Sequence, residues 1–149
     1  MTGTGVHMLD ALVALAGPVR HVQSLLLSHK PPPDPLDSLS ALLEFASGVG
    51  GTLAMVRSTP AYFRLHAFGR NASAEVLGRT ELVVRRSGAE PQQLSFPPAD
   101  SVRANLEAFA DAVAGGAPYP ISTDDMLDTV AVFEAIAEAA KSGGRVRDV

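Results

Sequence analysis

At 149 residues the chain has room for one domain with a sizeable core and not for two of ordinary size. Its 46% hydrophobic and 19% charged residues belong to a folded protein, and a net charge of −4 offers no basic surplus to recruit phosphate backbones or anionic lipid. The absence of cysteine removes disulfides, thiolate metal sites and thiol catalysis together, and no apolar run approaches the ~20 residues that span a bilayer. The first residues lack the charged and apolar regions of a signal peptide, so a cytoplasmic location is the expectation.

From Gly5 to about Ala16 the spacing is helical: Val6, Leu9 and Val13 form one stripe, Met8, Leu12 and Leu15 a second beside it, and Gly17-Pro18 ends the pattern. Extended segments follow at Val19 to Ser28, Ser38 to Ala46, Val49 to Thr59, Tyr62 to Phe68, Ala72 to Leu77 and Glu81 to Arg86. Turn signals separate them: the KPPPDP stretch from Lys30 to Pro35, Ser47-Gly48, Thr59-Pro60, Gly69-Arg70-Asn71 and Gly78-Arg79. Connections this short make hairpins, because a parallel crossover needs a dozen or more residues. Two helices come next. Asp100 or Ser101 caps the first, whose stripe is Val102, Leu106, Phe109 and Val113 and which stops at Gly115-Gly116. In the second, Ser122 and Asp125 have capping-box spacing, and Lys141 with Gly143-Gly144 closes it. Its predicted core stripe is Met126, Val130, Phe133, Ile136, Ala137 and Ala140. The tail RVRDV adds a short edge strand.

The predicted fold class is α+β, a single α/β domain over residues 1–149 with a six-stranded, mostly antiparallel sheet and helices packed on one face. Both faces of the strands carry large apolar groups: Val22 and Leu26 oppose Leu25 and Leu27, Leu42 opposes Leu39, Leu43 and Phe45, and Phe63 and Leu65 oppose Tyr62, His66 and Phe68. Three helices cover only one face, so the other is expected to meet a partner. A second copy of the chain, making a homo-oligomer, is the economical candidate; a missing domain of a longer protein and an ordinary sheet with scattered apolar residues are the alternatives.

Chemistry is concentrated at the first helix. Gly3 and Gly5 allow a sharp turn or close approach, Thr2 or Thr4 can cap, and His7 and Asp10 lie at i and i+3 on one helical face. An imidazole there can bond a substrate hydroxyl or carbonyl and pass its proton, although a histidine simply packed at a helix start is the plainer reading. GTGVHM is not a dinucleotide fingerprint, which needs a preceding strand, a third glycine and a βαβ frame. The four histidines show no metal-ligand pairs, no serine sits in a nucleophile elbow, and Asp124, Asp125 and Asp128 read as charges at a helix N-terminus. The pairs Arg85-Arg86 and Arg145/Arg147 read as solvated strand ends rather than a nucleic-acid patch.

The order of TGTGVHMLDALVALAGPV, a proline-broken strand pair, FASGVGGTLAMVRSTPAYFRLHAFGRNASAEV and the closing FADAVAGGAPYPISTDDMLDTVAVFEAIAEAAKSGGRVRDV resembles the C-terminal domain of the glucose-fructose oxidoreductase, inositol dehydrogenase and rhizopine-catabolism (Gfo/Idh/MocA) family. The resemblance covers nearly the whole chain, and its most telling parts are the G-x-H-x-x-D start and the SG-containing end. It implies a substrate and oligomerisation domain that accompanies a Rossmann domain binding NAD or NADP, in an oxidoreductase acting on a sugar-like or polyol substrate. The family's catalytic histidine falls on His7, with Asp10, Gly3 and Gly5 as supporting positions; Gly3 stands where many members have an aspartate. The family's catalytic lysine and cofactor contacts belong to the Rossmann domain, so the resemblance implies no cofactor site and no dehydrogenase activity in these residues alone, as in a fragment or truncated product; the histidine spacing likewise leads to the expectation of no metal. The alternative is a stand-alone, non-catalytic module that dimerises or binds a small molecule.

Overall fold

A computed structural model of the chain describes residues 5–28, 31, 36–144 and 146–149. Gly3, the candidate caps Thr2 and Thr4, most of the KPPPDP turn and Arg145 lie outside the described residues. The chain forms two compact units, the first from residues 1–58 and 119–149 and the second from residues 59–118.

The first unit begins with helix α1 (Gly5–Ala16), followed by strands β1 (Val19–Leu27), β2 (Ser38–Phe45) and β3 (Gly50–Val56). Helix α3 (Thr123–Lys141) and the short strand β8 (Arg147–Asp148) return to it from the far end of the chain. The sheet order is β3-β2-β1-β8 with antiparallel neighbours throughout. In β2 the alternation is strict: Leu39, Ala41, Leu43 and Phe45 are buried while Ser40, Leu42 and Glu44 are exposed. The buried row meets Leu9 and Val13 of α1 and Val132, Ile136 and Ala139 of α3 to make the core. A register shift between Val19 and His21 marks a bulge in β1 against β2. Deep in the core, the Ser24 hydroxyl donates to the Ile136 carbonyl at 2.7 Å, which ties β1 to α3 and satisfies a buried polar group.

The helix ends follow from local chemistry. At α1 the Gly17 N–H donates to the Val13 carbonyl at 2.8 Å, and glycine is suited to its φ of 86°. At α3 the Ser122 hydroxyl accepts from the Asp125 N–H at 3.1 Å while the Asp125 carboxylate accepts from the Ser122 N–H at 3.2 Å, completing the predicted capping box. The buried face of α3 differs from the predicted stripe: Thr129, Val132, Ala135, Ile136 and Ala139 are buried, whereas Met126 and Val130 are exposed. The helix carries apolar residues on several sides, and the side with small Ala135 and Ala139 is the one buried.

The second unit is an antiparallel meander of β4 (Arg64–Phe68), β5 (Ala72–Leu77), β6 (Glu81–Arg86) and β7 (Gln92–Ser95), followed by helix α2 (Ser101–Val113). One face bears Leu65, Val76, Leu82 and Leu94 in a single row, and the other bears Arg64, His66, Glu75, Val83 and Arg85. Helix α2 is capped by Asp100, whose carboxylate accepts from the Arg103 N–H at 3.0 Å, but none of its residues is buried.

The α+β class and the antiparallel pairing agree with the expectation, but the single six-stranded sheet does not: the strands form two four-stranded sheets. β3 and β4 are each an edge strand of their own sheet, because the segment between them is not a hairpin turn. It spans residues 57–63 and contains Pro60, which has no N–H to give a ladder. No helix among the described residues is long and apolar enough to cross a membrane.

Candidate functional site

The predicted site residues lie at the start of α1. Gly5 is its buried first residue, His7 is exposed and Asp10 is half-buried. Burying Leu9 and Val13 fixes the rotation of the helix, and His7, about 200° round the axis from Leu9, is thereby turned outward. Neither the His7 nor the Asp10 side chain makes a hydrogen bond or ion pair with another described residue. An unengaged imidazole at a helix start can donate to or accept from a hydroxyl, but on its own it positions no second reactant.

The other described histidines are both engaged. His21 on β1 places Nδ1 3.2 Å from Glu44 Oε2 on β2 and Nε2 2.9 Å from Asp148 Oδ1 on β8. With a carboxylate beside each nitrogen, the His21 ring links β1 to β2 on one side and to the last strand on the other. The carboxylates sit on opposite sides of the ring and do not converge, and no group of three potential metal ligands occurs among the described residues. A surface groove of about 390 Å³ lies between α3 and β8, lined by Ala131, Glu134, Glu138 and Arg147 among others, and no residue of α1 borders it.

Sequence reasoning passed over the polar face of the second sheet. Glu75, only 5% exposed, accepts from Arg64 Nε at 2.6 Å and from Arg85 Nη1 at 2.7 Å. The Arg85 hydrogen bond, with the charges of Arg64 and Arg85, holds the Glu75 carboxyl below its ordinary value against the opposing effect of burial. Arg64 Nη2 also approaches His66 Nδ1 at 3.3 Å, and the His66 ring stacks on Phe68 with centroids 3.8 Å apart. The signal available was an Arg-x-His-x-Phe alternation on one strand; the opposing Glu75 and Arg85 become neighbours only through strand register.

All described strand pairings are antiparallel, and a dinucleotide-binding βαβ unit requires a parallel pair. A family model for the GFO/IDH/MocA C-terminal domain matches residues 1–75, half of the chain. The chain belongs to the GFO/IDH/MocA C-terminal domain family. No curated protein matches it.

Solved structures share the fold of this GFO/IDH/MocA C-terminal domain. An oxidoreductase of Desulfitobacterium hafniense, described as NADPH-dependent, superposes with a TM-score of 0.86 and 22% identity over 99% of this chain and 47% of its own. The UDP-N-acetylglucosamine 3-dehydrogenase of Acidithiobacillus ferrooxidans gives 0.84 and 20% over 93% of this chain and 46% of its own. An aldose-aldose oxidoreductase of Caulobacter crescentus, complexed with glycerol, gives 0.81 and 21% over 97% and 46% respectively. The chain thus spans about half the length of the structures it matches.

Proposed function

We propose that the chain is the substrate-side and assembly domain of a nicotinamide-dependent oxidoreductase acting on a sugar-like or polyol hydroxyl. The observation that carries the reading is His7: in a member of the GFO/IDH/MocA C-terminal domain family, the histidine of the G-x-H-x-x-D start is exposed at the head of a firmly packed helix and engaged by no described side chain. Its role is to hold the substrate hydroxyl and accept or return its proton, while Gly5 opens the helix and Asp10 lies one turn further along the same face as a supporting residue. In this reading NAD or NADP is held by polypeptide outside these residues. Two named relatives, a UDP-sugar dehydrogenase and an aldose-aldose oxidoreductase holding glycerol, support a hydroxylated substrate.

Titrating the chain with glycerol, glucose and inositol while following the histidine ring signals by NMR tests the substrate assignment. Saturable shifts confined to His7 and the first turn of α1 are expected, and they are lost in His7→Ala, which leaves the melting temperature nearly unchanged because the residue is exposed. Shifts absent at high polyol concentration would remove the assignment. Calorimetric titration with NAD and NADP is expected to show no saturable binding to this chain alone; clear binding would contradict the placement of the cofactor elsewhere.

The assembly part of the proposal concerns the helix-free face of the first sheet. Leu25, Leu27, Leu42 and Val56 lie there 46–59% exposed, among Gln23, Ser40 and Thr52. A homo-oligomer covering this face is expected to dissociate in Leu42→Lys without loss of fold, as read by sedimentation and circular dichroism. A monomeric unmodified protein would refute it.

A further inference from the structure

On the polar face of the second sheet, Glu75 meets two guanidinium groups, while the other carboxylate of that face, Glu81 at the start of β6, accepts from the Ser95 hydroxyl at 2.7 Å. Glu75 brings one negative charge and both its oxygens are taken, Oε1 by Arg64 and Oε2 by Arg85. Within this contact cluster two guanidinium groups share a single carboxylate, an excess of one positive charge on side chains that remain 47% and 45% exposed. Beside them, His66 accepts at Nδ1 from Arg64 Nη2, which leaves the ring proton on Nε2. That Nε2 is shielded from solvent and meets no acceptor among the described residues. Folded proteins seldom leave a buried donor in this state.

We propose that this face is a binding site for a small oxyanion, a phosphate or carboxylate group, held by the unused N–H groups of Arg64 and Arg85 with His66 Nε2–H as a third donor. The class follows from the inventory: the charged groups available at this spot all donate, and planar guanidinium forks match the oxygens of phosphate and carboxylate. Glu75 is the positioning residue. Fixed by strand register opposite His66, it holds the two arginine side chains, from β4 and β6, over the middle strand. Phe68 is the gate. Its ring lies on the imidazole at 3.8 Å with a 32° tilt, yet the residue is 79% exposed, so the ring can swing into solvent and open the path to Nε2. The site does not depend on the reading of His7.

The test uses the full chain with labelled histidine, titrated at constant pH with sodium phosphate, sodium acetate and sodium chloride at matched ionic strength. A saturating shift of the His66 ring signals with phosphate or acetate, absent with chloride, is the expected result, and the stronger of the two oxyanions tells a phosphate-bearing ligand from a carboxylate-bearing one. Arg85→Gln is expected to weaken binding at least tenfold, and Phe68→Ala to tighten it several-fold. His66 shifts that track ionic strength alike in all three salts would overturn the proposal, as would saturable binding indifferent to Arg85→Gln. Should Arg85→Gln lose its fold, Phe68→Ala decides: this variant removes only an exposed ring, and an affinity unchanged or lowered in it refutes the gated site.

Discussion

Replacing Leu9 with alanine is the most direct probe of what holds the candidate site in place. Leu9 is 2% exposed in α1 and belongs to the cluster that includes Val13, Leu43, Phe45 and Ile136. The substitution deletes three carbon atoms, worth ~2.4 kcal/mol at about 0.8 kcal/mol for each buried methylene. A residual cavity adds to this, and buried Leu→Ala changes span roughly 2.7–5 kcal/mol, so a loss of ~3–4 kcal/mol is expected. That is a large share of the ~5–15 kcal/mol that stabilises a domain, and at ~2–4 °C per kcal/mol it lowers the melting temperature by about 10 °C. Urea unfolding followed by circular dichroism measures the loss, with hydrogen exchange of the α1 amides to show that the helix is where it arises. Leu15→Ala on the same helix is the control: Leu15 is 62% exposed, and its loss is expected to stay within ~0.5 kcal/mol. A cost below about 1 kcal/mol for Leu9→Ala, or equal costs for the two, would show that α1 is not anchored as described.

Two further substitutions probe the remainder of the fold. Glu75 is held below its ordinary value of 4.5, so its contribution to stability is complete above that value and is lost as pH falls through the lower folded value. The urea midpoint is therefore expected to drop on acidification, and Glu75→Gln to flatten this dependence; an unaltered acid limb in the variant would refute the assignment. Gly144 has a φ of 85°, and an added Cβ would come within 2.9 Å of Leu25 Cδ2, so Gly144→Val is expected to cost at least ~1–2 kcal/mol in thermal unfolding. A melt identical to the parent's would contradict that backbone.

Local signals in the sequence carried far, and long-range ones did not. The extent of α1, the Ser122/Asp125 capping box and the alternation of β2 were legible because each is decided within a few residues. β7 escaped notice because Gln92-Gln93-Leu94-Ser95 has a single apolar residue and becomes a strand only by pairing with β6. The division into two sheets was hidden for a related reason: whether β3 and β4 pair is a tertiary choice, and the Thr59-Pro60 signal marks a turn and a sheet boundary alike. The rotated face of α3 reflects a competition that propensity does not resolve, since Val130 is as apolar as Val132 and packing against the sheet chose between them. His7 was found from a local pattern, whereas Glu75 with Arg64, His66 and Arg85 needed strand register to be seen as a group.

The first unit is assembled from the two ends of the chain, with the meander inserted between them. During translation the hairpins of the insert can close as soon as each emerges, since their partners are neighbours in sequence. The earlier sheet must wait with its apolar side covered only in part, by α1, until Val132, Ile136 and Ala139 are made. The interval between synthesis of β3 and of α3 is thus the period in which a nascent chain is most in need of a chaperone, and shortening the insert would shorten that exposure.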